Sequence, residues 1–138
     1  MQQATRWAQR GEIMNKKFVL HIEDNFHNRR IVKKVLESRG YEVFEAEDGV
    51  SGLNMIRELK PSVVLLDISL PEMDGTQIAA QVKTEADLRA TSLIALTASA
   101  MRGDRERFLE AGCDDYLSKP IQALELIDLV AKYYPVTD

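Results

Sequence analysis

Acidic residues follow two of the apolar runs in this chain: Glu23-Asp24-Asn25 comes after FVLHI, and Asp67 comes after SVVLL. Two further runs end in residues suited to the same place, Thr97 after SLIAL and Ser118-Lys119-Pro120 after DDYL. Carboxylates drawn together repel one another, so Glu23, Asp24 and Asp67 make sense as a group only with a counter-charge. A hard divalent cation with oxygen ligands, Mg²⁺ before Ca²⁺, supplies one. The ammonium of Lys119 supplies another.

These residues lie far apart in sequence, so the elements between them must bring them together. Short apolar runs alternate with amphipathic stretches from Lys16 onward, while residues 1–15 show no clear period and are expected to form a flexible lead-in. The runs are FVLHI (18–22), YEVFEA (41–46), SVVLLDI (62–68), SLIALTA (92–98) and DDYLS (114–118), the last assigned from its place in the series. Runs two to four have the length, composition and bounding breakers of strands. Ile31, Val35 and Leu36 predict one face of a first helix, with Gly40 at its end. Leu53, Ile56 and Leu59 predict a second, stopped by Lys60-Pro61. Ile78, Ala79 and Val82 mark a third, and Phe108, Leu109 and Ala111 a fourth that ends at Gly112. Residues 121–134 form a fifth. The nearly all-apolar third and fourth runs suit central parallel strands covered on both faces. Five such units imply an α/β fold, a doubly wound parallel sheet in the flavodoxin-like order 2-1-3-4-5. In these sheets sites form beyond the carboxyl ends of the strands, where the polar residues above are found.

Composition sets the outer limits. The 138 residues fit one domain, and 45% hydrophobic with 29% charged residues is ordinary for a soluble protein. A net charge of -4 argues against autonomous nucleic-acid binding. No apolar run approaches the roughly 18 residues of a membrane span, and the N-terminus lacks the apolar core of a secretory signal. The single cysteine, Cys113, excludes an intramolecular disulfide and reads as a small core residue. These features point to the cytoplasm.

IEDN at 22–25, LLDISLPEMDG at 65–75, ALTASAMRGD at 95–104 and AGCDDYLSKPI at 111–121 together resemble the response-regulator receiver domains, the CheY-like family, over residues 16–134. Residues 135–138 are left as a short tail. The resemblance implies that Asp67 is the phospho-acceptor. It implies that Glu23 and Asp24 hold Mg²⁺, Asp24 directly and Glu23 mainly through water, with the Ser69 backbone carbonyl as a further ligand. Thr97 matches the switch hydroxyl and Lys119 the lysine that pairs with a phosphoryl oxygen. Lys119-Pro120 matches a bond that is usually cis, and Tyr116 the switch aromatic. The physical chemistry is consistent with these roles. A carboxylate attacking phosphorus meets a negatively charged electrophile, which a metal must neutralise. Phosphoryl transfer also relies on positioning and electrostatics more than on covalent help.

His21 stands where the family carries an aliphatic residue. It is expected to be a partly buried histidine with one hydrogen-bond partner, with pH sensing as the alternative. Ser69 and Ser99 lie where the family tunes dephosphorylation. Gly75 and Gly103 read as turn and helix-start glycines. On the last helix Gln122, Glu125, Asp128 and Lys132 occupy a polar stripe of about 120°, leaving an apolar arc broader than one core contact requires. That surplus either packs on neighbouring helices or docks a partner, with Leu126 and Leu129 acting alongside Tyr116 and the helix starting near Met101.

Only the final helix and tail follow Pro120, so the expected output is the binding of another protein. The expected phosphoryl donor is a sensor histidine kinase or histidine phosphotransfer protein, or a small donor such as acetyl phosphate. The chain is not expected to turn over a separate substrate. An aspartyl phosphohydrolase would need a second aspartate where Ser69 stands, and EDNFHN is a poor phosphate cradle for a flavodoxin-type cofactor. One receiver module of a larger hybrid kinase or regulator stays open.

Overall fold

The structure, a computed structural model, describes residues 17–98 and 103–135. The expected lead-in, Ser99 and Met101 therefore lie outside the described residues. In chain order the elements are β1 (Lys17–Ile22), α1 (Phe26–Glu37), β2 (Tyr41–Ala46), α2 (Gly49–Leu59), β3 (Val63–Asp67) and α3 (Gly75–Thr84). A short 3₁₀ turn at Ala86–Leu88 precedes β4 (Ser92–Thr97), α4 (Asp104–Ala111), β5 (Asp115–Ser118) and α5 (Ala123–Tyr133). All strands pair in parallel, and their order is β2-β1-β3-β4-β5, as the sequence predicts.

Alternation along each strand divides the core in two. Phe18, Leu20, Ile22, Val64, Leu66, Leu93 and Ala95 face α2, α3 and α4, where Ile56, Ile78, Val82 and Phe108 meet them. Val19, Val43, Val63, Leu65, Ile94 and Leu96 face α1 and α5, against Val32, Leu36, Leu126 and Val130. Cys113 is buried in the first cluster, and burial pushes its thiol up to about 12, so it packs and does not react.

Local chemistry sets the helix ends. The Asn25 side chain accepts the Asn28 N–H at 2.9 Å, and Asp48 does the same for Ser51 at 2.7 Å. Asp74 and Gln77 form a reciprocal capping box at the start of α3. Lys60 closes α2 in the left-handed region at φ 49°, its N–H donating to the Ile56 carbonyl at 2.8 Å, one residue before a proline that cannot continue the helix.

Two expected faces are corrected. In α1 the inward residues are Arg29, Val32 and Leu36, whereas Ile31 is 51% exposed. Ile31 and Val32 are adjacent, so apolar pattern alone allows two phases about 100° apart. The phase adopted places Arg29 inside, where its guanidinium finds partners. In α5, Leu126 is 0% exposed and belongs to the core, so it cannot meet a partner. The centre of the apolar arc is taken up by packing, because Leu126 and Val130 share a core cluster with Leu117 of β5, Ile94 and Leu96 of β4, and Leu36 of α1. Leu129 is half-buried and, with Tyr116, lines a shallow groove of about 350 Å³ bordered by Glu125, Asp128 and Lys132. The exposed leucine of α5 is Leu124, at 68%.

Candidate functional site

The parallel register aligns the strand ends at one edge. Ile22 stands beside Leu66, Asp67 beside Leu96, and Thr97 beside Ser118. Glu23 therefore emerges next to Asp67, with Thr97 and Lys119 on the following strands. Glu23, Asp24 and Asp67 each offer a carboxylate oxygen, and these oxygens lie within 4.8 Å of one another. Glu23 and Asp67 are buried, while Asp24 is exposed at the mouth. Thr97 is buried at the end of β4, and Tyr116 is half-buried against the first core cluster.

Lys119 answers this charge. Its Nζ lies 3.2 Å from Asp67 Oδ1 and 3.3 Å from Glu23 Oε1. Its backbone N–H donates to the Thr97 carbonyl at 2.7 Å, and the Lys119–Pro120 peptide is cis, as expected. The Ser69 N–H donates to Asp67 Oδ1 at 3.0 Å.

The Glu23 carboxylate accepts the Asn25 N–H at 3.2 Å and Asn28 Nδ2 at 3.4 Å. Burial nonetheless pushes its pKa up to about 7, with neighbouring Asp67 adding to the rise and the Asn25 N–H and Lys119 opposing it. One lysine is thus too little for the cluster, which near neutrality takes up a proton. All-oxygen donors this close, two of them buried and one at the mouth, still short of positive charge, fit a hard divalent cation.

Support comes from residues that the sequence reading did not single out. The Arg29 guanidinium donates to the Glu23 backbone carbonyl at 2.9 Å, and Asn28 reaches the Glu23 carboxylate as above. Their signal in the sequence is position, one helical turn beyond the Asn25 cap and facing back toward the acidic pair. Gly75 is more than a helix start: a Cβ there would lie 2.8 Å from the Asp67 backbone oxygen. Its own N–H donates to the Ile68 carbonyl at 3.2 Å.

His21 departs from expectation. It is fully buried below the pocket, and neither ring nitrogen has a hydrogen-bond partner among the described residues. Burial lowers its pKa to about 3, Asp67 opposing the fall while Lys119 and Arg29 reinforce it. The expected partner is thus not found among the described residues, and burial of the ring disfavours the charged form that the pH-sensing alternative needs.

The sequence profile of the response regulator receiver domain matches residues 19–131. The chain belongs to the response-regulator receiver family. This receiver is 38% identical over 117 residues to the polar-differentiation response regulator DivK of Brucella anthropi, an alignment covering 85% of this chain and 95% of that protein. DivK of Brucella ovis matches at the same identity and coverage. Among solved structures, the receiver domain of the sensor histidine kinase PA1611 from Pseudomonas aeruginosa, which has a magnesium ion coordinated in its active-site cleft, is 33% identical. The fit has a TM-score of 0.79 and covers 86% of this chain and 97% of that one. The receiver domain of the Francisella response regulator 1452 superposes with a TM-score of 0.80 at 28% identity, covering 86% and 96% of the two chains. The protein is a two-component response-regulator receiver, a class distinct from enzymes that turn over a separate substrate. No helix among its described residues is long and apolar enough to cross a membrane.

Proposed function

We propose that Asp67 accepts a phosphoryl group from a phosphohistidine on a sensor kinase or phosphotransfer protein, and that this changes the surface offered to a protein target. The observation that carries the reading is the cluster of Glu23, Asp24 and Asp67 oxygens within 4.8 Å, with Lys119 Nζ 3.2 Å from Asp67.

In this reading Glu23 and Asp24 hold Mg²⁺ together with Asp67 and the Ser69 backbone carbonyl. When bound, the metal supplies charge neutralisation for both the carboxylate and the incoming phosphoryl oxygens. An Asp67 carboxylate oxygen attacks phosphorus as the P–N bond to the donor histidine breaks, and the electron pair leaves with the imidazole nitrogen. Lys119 pairs with a phosphoryl oxygen. The product carries about -2 charge and three strong acceptors, enough to draw the Thr97 hydroxyl inward. Tyr116 then fills the space that Thr97 vacates. The protein promotes only its own phosphorylation and dephosphorylation.

We take residues 16–134 as the working unit and place it in the cytoplasm with its donor. Phe26 and Ile31, exposed along a groove of α1 that also holds Arg30 and Lys34, are the side chains we assign to donor contact. The groove of Tyr116 and Leu129 is assigned to the target, without Leu126.

Intact mass after incubation with acetyl phosphate and Mg²⁺ tests the acceptor. A gain of about 80 Da, one phosphoryl group, is expected. It should require Mg²⁺ and be absent in Asp67→Asn. A gain that persists in Asp67→Asn overturns the assignment. If no gain is seen, Mg²⁺ and beryllium fluoride titrations decide, and failure of both to bind ends the reading.

A further inference from the structure

Arg29 is the most buried cation of α1, and the phosphoryl chemistry above makes no use of it. One nitrogen donates to the Glu23 backbone carbonyl at 2.9 Å, and the other lies 3.3 Å from Glu47 Oε1. The Glu23 N–H in turn donates to the Ala46 carbonyl at 2.9 Å. Both backbone polar groups of Glu23 are therefore held, one by the end of β2 and one by Arg29. The Glu23 carbonyl belongs to the rigid peptide plane that leads into Asp24. Whatever fixes that carbonyl sets the rotation of the plane, and with it the direction in which both acidic side chains leave the backbone.

We propose that Arg29 is a positioning residue for the acidic pair, aligning Glu23 and Asp24 for Mg²⁺ by clamping the peptide between them. This rests on the metal reading above. The alternative, that Arg29 matters only through its charge, makes the opposite prediction. A buried cation behind the site repels Mg²⁺, so deleting it would tighten metal binding. Loss of the clamp would loosen it. Glu47 is only an accessory, because its carboxylate is 76% exposed and the pair is well solvated.

Mg²⁺ titrations of the full chain, followed by NMR shifts of the Glu23 and Asp24 amides, separate the two. Arg29→Met is expected to weaken Mg²⁺ binding by about 10- to 100-fold, as loss of an orienting partner around a metal site does. Arg29→Lys, which keeps the charge and one donor, should recover most of that loss. Glu47→Gln should change little. In phosphorylation by acetyl phosphate, the Mg²⁺ concentration for half-maximal rate should rise in Arg29→Met while the rate at saturating Mg²⁺ stays close to wild type. If Arg29→Met does not fold, Arg29→Gln takes its place with the same expected direction. Metal binding in the folded variant as tight as wild type, or tighter, overturns the inference and leaves the metal reading standing. If the wild type binds no Mg²⁺, the metal reading falls and the role of Arg29 falls with it.

Discussion

The pocket at the carboxyl edge of the sheet and the outer side of α5 handle exposure in opposite ways. The pocket draws Glu23 and Asp67 out of water beside a single lysine and leaves them short of positive charge. On α5, Leu126 sinks fully into the core while Leu124, on the same helix, stands 68% exposed. The pocket holds uncompensated negative charge of the kind a divalent cation offsets, whereas α5 is a packed wall whose outer side keeps a shallow groove at Leu129 and an exposed Leu124. Function therefore concentrates where burial runs against chemistry, and stability where the two agree.

The comparison breaks first at Leu126. Leu126→Ala is expected to cost about 2–5 kcal/mol by urea unfolding, as large-to-small core changes do. A cost near zero would mean that α5 is loosely packed. In the pocket, Lys119→Met should slow acetyl-phosphate-dependent phosphorylation by about 100-fold or more while leaving the fold intact, by loss of a group aimed at the transferred oxygens. A near-normal rate would remove Lys119 from the chemistry.

Acidity sharpens the contrast. Glu23 has a folded pKa near 7, above its ordinary 4.5, so its contribution favours the metal-free fold at low pH and is lost as pH rises from about 4.5 through 7. Mg²⁺ should replace that loss, so its thermal stabilisation is expected to be greater at pH 8 than at pH 5.5. Equal shifts at both would disconnect Glu23 from the metal. His21, lowered from 6.5 to about 3, works the other way, withdrawing stability as pH falls through that window. His21→Leu should thus be neutral to stabilising, by about 1–2 kcal/mol, because two unpartnered buried nitrogens disappear. The smallest effect is expected at Leu124→Asp, within about 0.5 kcal/mol of wild type.

Much of this architecture was legible in the sequence because strand ends are tightly constrained. An apolar run such as VVLL must be buried on both faces, and where it stops the chain must meet water, so Asp67 and Thr97 could be placed without knowing any contact. The same reasoning brought Glu23, Asp24 and Lys119 to that edge. Helix faces were harder. Ile31 and Val32 offered two phases, and the choice was made by a buried arginine that apolar counting ignores. The sequence placed Leu126 on a broad apolar arc, but which part of that arc is covered depends on how α5 packs on β5 and α1, a tertiary fact that puts Leu126 inside and Leu124 outside. His21 illustrates the limit for buried polar groups: its type invites a partner, and only the packing shows that none is in place among the described residues.

The contact between Gly75 and Asp67 has a consequence for variation. Position 75 carries no reactive group, yet the backbone atoms of Asp67 and Ile68 occupy the space that a side chain there would need. A saturation library would therefore find substitutions at Gly75 behaving like lesions of the proposed acceptor itself, while exposed residues of α3 beyond the Asp74–Gln77 capping box drift freely. What looks like a glycine needed only for its turn is the back wall of Asp67, the proposed nucleophile.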